Sequence, residues 1–144
     1  MTVRSSVALL SALALAGSAT FASAESGVKY SANLRGAAEV PGPGDPDGKG
    51  SASINIAQGK SELCYKLSVR DIETATMAHI HSGSTTQAGP VSVTLAAPAT
   101  GNSSGCVAID PDLADAIRKS PEAYYVNVHN AEFPNGAIRG QLDK

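Results

Sequence analysis

Val28-Lys29-Tyr30-Ser31-Ala32-Asn33-Leu34-Arg35 sets Val, Tyr, Ala and Leu against Lys, Ser, Asn and Arg in strict alternation. A two-residue period is that of a strand with one face in a core and the other in solvent. The alternation returns along the chain. Ala52, Ile54 and Ile56 carry it through Ser51–Ala57, Gly59-Lys60 turns the chain, and Leu63-Cys64-Tyr65-Lys66-Leu67-Ser68-Val69 returns, so 51–69 is expected to be a hairpin. Further β segments are expected at Met77–His81, Val91–Leu95, Cys106–Ile109, Tyr124–His129 and Ala137–Leu142. The intervening 41–50, PGPGDPDGKG, is expected to be an exposed, irregular loop. One helix is expected: Asp110 caps it, Pro111 suits its first position, Leu113, Ala114, Ala116 and Ile117 form its apolar face, and Ser120-Pro121 stops it. About eight short strands with one short helix in a connection predict an all-β fold, an antiparallel β-sandwich or flattened Greek-key barrel.

Composition narrows the function. The chain has 144 residues, one domain's worth, and a formal charge of -2. No basic run appears in the sequence, so a nucleic-acid phosphate backbone is not an expected partner. Trp is absent and Phe occurs twice, which leaves Val, Ile, Leu and Ala to build the core.

Residues 1–24 read as an address rather than as structure. Arg4 is followed by an apolar run from Val7 to Ala16 and by the small-residue site Ala22-Ser23-Ala24, the layout of a signal peptide. The run falls short of the ~20 residues of a membrane-spanning helix. The expected mature chain is a single domain at 25–144 with no membrane span, secreted or periplasmic. In an oxidising compartment Cys64 and Cys106 are expected to form one disulfide, the alternative being two buried free thiols.

All three histidines lie in β segments. His79 and His81 sit at i and i+2 around Ile80, so they share a strand face, about 6–7 Å apart. In Tyr125-Val126-Asn127-Val128-His129 the valines take the core face, which puts His129 outside with Asn127 and Tyr125. If the two strands adjoin, His79, His81 and His129 make one metal site, with Asn127 or a backbone carbonyl orienting a ring through its second nitrogen. Imidazole suits copper, zinc, nickel and iron alike. Ser82 and Ser84 read as turn residues, and Glu39, Asp45, Asp47 and Glu132 as solvated loop charges.

Several segments together resemble the CHRD (chordin) domain family: Leu34-Arg35-Gly36-Ala37-Ala38-Glu39-Val40-Pro41, Ala78-His79-Ile80-His81-Ser82-Gly83, Gly89-Pro90-Val91, and the run from Tyr124 through Val128-His129-Asn130-Ala131-Glu132-Phe133-Pro134-Asn135-Gly136 to Leu142. The resemblance runs from about Tyr30 to Leu142 and implies a β-rich extracellular module; in animal chordins such domains sit within secreted antagonists of growth factors. A weaker resemblance is to the copper/zinc superoxide dismutase-like fold, through His79-Ile80-His81, Val126-Asn127-Val128-His129 and Gly136-Ala137-Ile138-Arg139-Gly140. It implies copper as the cofactor on His79, His81 and His129, with Arg139 either an anion guide or a structural strut. No bridging His lies between His81 and His129, so the implied site is copper-only and three-coordinate from protein.

Two functions compete. One is an exported metal-binding or storage protein, which as an enzyme would be a copper-only superoxide dismutase-like oxidoreductase. The other is a non-catalytic extracellular binding or structural module, with Tyr124, Tyr125 and Phe133-Pro134 forming part of the surface for a protein partner.

Overall fold

A computed structural model describes residues 27–57 and 59–144; the leader expected at 1–24 lies outside the described residues. Among the described residues eight strands form: β1 (Gly27–Arg35), β2 (Lys49–Ala57), β3 (Glu62–Arg70), β4 (Ala75–Ser82), β5 (Val91–Leu95), β6 (Asn102–Ala108), β7 (Tyr124–Asn130) and β8 (Ile138–Gln141). One helix, α1 (Pro111–Lys119), lies between β6 and β7. The Asp110 carboxylate accepts from the backbone N–H of Asp112, as an N-cap does, and Arg118 and Lys119 stand at the negative end of the helix.

All strand pairings are antiparallel, in one sheet of order β5-β4-β7-β8-β1-β2-β3-β6. The sheet curls into a nearly closed barrel. Its edges meet where the link after β5 is held by side chains of the β3–β6 side: Tyr65 Oη accepts from the Ala96 N–H at 2.9 Å, and Ser103 Oγ donates to the Ala96 carbonyl at 2.7 Å. Of the two expected architectures, this is the barrel. Cys64 and Cys106 face each other in the β3–β6 register and are joined by a disulfide.

The alternation read from sequence is the burial pattern observed. Tyr30, Ala32 and Leu34 of β1 pair with Ile54, Ala52 and Gly50 of β2 and point inward, while Lys29, Ser31, Asn33 and Arg35 are exposed. Leu63, Tyr65, Leu67, Ile80, Val126, Val128 and Ile138 complete the interior, with Ile117 of α1 packed among them. Complete burial of Ile54, Ile80 and Ile117 makes each a site where truncation to Ala would cost about 2–5 kcal/mol.

Strand β7 departs from alternation: every residue from Tyr125 to Asn130 is buried. Its inner residues enter the barrel core. Its outer residues lie beneath loops, and this produces three corrections. The 41–50 segment is not wholly exposed, because the Asp45 N–H donates to the Ala137 carbonyl at 2.8 Å and buries Gly44, Asp45 and Gly48. Glu39 and Asp45 are therefore not solvated charges: they are 7% and 8% exposed. Tyr125, at 2% exposure, cannot belong to a partner surface.

Candidate metal centre

Strand β4 places Ala78 and Ile80 in the core, and the two-residue period turns Met77, His79 and His81 to the outer face. β7 pairs with β4 in a register that sets His81 opposite Tyr125, His79 opposite Asn127 and Met77 opposite His129. The expected adjacency of the two strands is therefore met. Ring centroids are 5.4 Å apart for His79–His81, 5.1 Å for His79–His129 and 6.3 Å for His81–His129.

Each ring offers one nitrogen to a common point, and these atoms lie within 4.8 Å of one another. A metal bound at ~2 Å to three nitrogens needs none of them more than ~4 Å apart, so small side-chain rotations close the widest pair. The group can hold a metal ion.

The remaining nitrogens fix the tautomers. His81 Nδ1 is 2.9 Å from the Gly89 carbonyl and His129 Nδ1 is 3.0 Å from the Pro134 carbonyl. A carbonyl only accepts, so both Nδ1 atoms donate and each neutral ring keeps its lone pair on Nε2. His129 Nε2 meets His79 Nδ1 at 3.2 Å, where it accepts the His79 N–H. His81 Nε2 is buried with no hydrogen-bond partner. Leaving such an atom unsatisfied costs about 1–3 kcal/mol, and an ion is a recognised reason for one. Burial is the largest influence on all three rings and holds each pKa below the ordinary histidine value; mutual repulsion lowers His79 further, while the carbonyls of Gly89 and Pro134 oppose the effect at His81 and His129. Neutral imidazole is the form that ligates.

Around the rings lies a second layer, in which the sequence reading names Asn127 and Arg139 but not the Tyr125 stack or Glu39. Tyr125 stacks on His81 with centroids 4.9 Å apart and planes 4° from parallel. Its hydroxyl oxygen accepts from the Gly89 N–H at 3.2 Å. Asn127 Nδ2 donates to Glu39 at 3.2 Å. Burial raises the Glu39 pKa to about 7, although Arg139 and the Asn127 amide pull it down. Asn127 thus contacts Glu39 rather than a histidine nitrogen. Arg139 is 1% exposed, and its guanidinium donates to the carbonyls of Ser84 and Gln87, ends of the loop that leads to Gly89. Those are the contacts of a carbonyl-binding strut. The signal for this layer lay in β7 itself: Tyr125, Asn127 and His129 give its outer face no charge, unlike the Lys29 and Arg35 of β1, which marks a covered face.

The only other metal-capable group among the described residues joins Glu62 to Cys64 and Cys106, whose sulfurs are already bonded to each other. No helix among the described residues is long and apolar enough to cross a membrane. No curated protein and no solved structure matches the chain. The CHRD domain model matches residues 30–142, an extent that takes in every strand from β2 to β8, most of β1 and all three histidines. On that match the chain belongs to the CHRD domain family, whose members are extracellular-type modules.

Proposed function

We propose that this CHRD protein is exported, with residues 1–24 as its leader, and that it binds and holds copper on His79, His81 and His129. The observation that carries the reading is the buried, unpartnered Nε2 of His81, set beside two further imidazole nitrogens by a ring whose other nitrogen is tied to the Gly89 carbonyl. Among divalent first-row ions copper is bound most tightly by nitrogen ligands. The ligating rings are held in place by backbone carbonyls, a Tyr125 stack and the Arg139 strut, so little side-chain freedom is lost on binding. Arg139 serves as a positioning residue here, and the rings are oriented by the Gly89 and Pro134 carbonyls rather than by Asn127, whose amide is turned to Glu39.

The test is copper titration of tag-free protein and of a His79→Ala/His81→Ala/His129→Ala variant. One equivalent taken up by the natural chain and none by the variant supports the reading. Equal uptake by both, or none by either, overturns it and leaves a module with no metal on these histidines, a reading for which the His79–His129 hydrogen bond speaks. Export is tested separately by the N-terminal residue of protein recovered outside the cytoplasm, expected to be Glu25.

A further inference from the structure

Three imidazoles leave a copper ion short of a full coordination set. The register names a side chain beside the group that could complete it. Met77 is the residue directly opposite His129 in the β4–β7 pair, and it shares the outer face of β4 with His79 and His81. Directly opposed side chains in an antiparallel pair leave the sheet together, with Cβ atoms about 4.5–5.5 Å apart. His129 therefore has Met77 as its cross-strand neighbour, and the His79 ring reaches diagonally to the same imidazole.

Met77 is also misplaced as a structural residue. It is 45% exposed, one of two large apolar side chains so exposed among the described residues, and it takes no part in the core cluster. Its neighbours on that face are imidazoles. A thioether on three rotatable bonds adapts its position readily and is a soft ligand suited to copper(I). Carboxylates, which would favour harder ions, are absent from the histidine group.

We propose that the Met77 thioether is a fourth ligand, which makes the centre a three-histidine, one-methionine site selective for copper(I). The inference rests on the three-histidine reading above and adds the oxidation state. Met77 is the ligand that discriminates: it strengthens copper(I) binding while contributing little to copper(II) or zinc.

The chain contains two methionines, Met1 and Met77, so selenomethionine labelling of the protein without its leader places selenium at position 77 alone. X-ray absorption at the selenium edge of the copper(I)-loaded protein is expected to show a copper neighbour, and the copper edge a selenium shell beside imidazole nitrogens. Competition titrations give the energetic arm. Met77→Leu keeps shape and apolar character and is expected to lose copper(I) affinity by at least about tenfold, with copper(II) affinity changed by less than about threefold. Imidazole scattering without selenium, or Met77→Leu binding copper(I) as the natural chain does, overturns the role of Met77 and leaves the three-histidine site standing. Retention of copper by the triple alanine variant overturns both.

Discussion

The guanidinium carbon of Arg139 lies 3.4 Å from the centroid of the Tyr125 ring, and that same ring stacks on His81. A cation, a phenol and an imidazole are thus in series, and the same guanidinium holds the carbonyls of Ser84 and Gln87. Arg139→Lys keeps the charge but loses the planar surface over the Tyr125 ring, and its ammonium is a shorter, non-planar head in place of the Nη2 that serves both carbonyls. The expected result is a loss of about 2–4 kcal/mol of stability and a fall of about tenfold or more in copper affinity, transmitted through His81. Thermal unfolding and copper titration of the folded variant measure the two effects separately. Lost stability with unchanged copper affinity would confine Arg139 to supporting the fold.

Gly89 supplies the carbonyl that orients His81 and the N–H that binds Tyr125 Oη. A Cβ on Gly89 would stand 1.7 Å from the Ser82 carbonyl oxygen, which belongs to the backbone of β4 and cannot swing aside. Gly89→Ala must therefore displace the loop, releasing the His81 Nδ1 bond. It is expected to cost about 2–4 kcal/mol and to weaken copper binding. Thr86→Ala, at an exposed position of the same loop, is expected to stay within about 0.5 kcal/mol of the natural chain. Equal copper affinities in the two variants would show that the Gly89 carbonyl does not orient the ligand.

What the sequence disclosed follows from the range of the interactions involved. Strands such as β1 and β3 were legible because a two-residue alternation is local, and the histidine faces followed from Ile80 and the two valines of β7 taking the core. The first half of β6, Asn102-Ser103-Ser104-Gly105, was missed because its polar and small residues carry no apolar alternation; pairing with β3 makes it a strand. Glu39 was misread for a related reason. Its environment is created by Asn127, 88 residues away in sequence, and by a loop that folds over β7, and nothing near Glu39 records either. Arg139 is named by the resemblance of Gly136-Ala137-Ile138-Arg139-Gly140 to the superoxide dismutase-like fold, but its partners at Ser84 and Gln87 depend on how that loop closes.

Copper uptake has a proton signature that follows from the tautomers. The three rings are held below the ordinary histidine pKa, chiefly by burial, so they are neutral at pH 7. His81 and His129 already keep Nε2 free, and His79 frees Nδ1 by moving its hydrogen to Nε2. Binding at pH 7 is expected to release close to zero protons, and affinity to fall only below the ordinary histidine range. Calorimetry in buffers of different ionisation enthalpy counts the protons; release of about one or more at pH 7 would contradict the assigned ring states. The same depressed pKa values stabilise the fold above pH 6.5, and that contribution is lost as pH falls and the unfolded chain takes up protons.

Glu39 acts in the opposite sense. Burial raises its pKa from 4.5 to about 7, so between those values the folded chain holds a proton that the unfolded chain has released. The stability this carboxyl contributes is fully present below pH 4.5 and is lost as pH rises through about 7. Glu39→Gln keeps an oxygen to accept from Asn127 Nδ2 and removes the ionisation. The variant is expected to match the natural chain in stability near pH 4.5 and to exceed it at pH 8, by on the order of 3 kcal/mol at most, the Arg139 attraction being already contained in the raised value. Denaturant midpoints across that range check the sign. A constant difference between the two proteins at every pH would mean that Glu39 is ionised beneath the loop, its burial fully offset by Arg139.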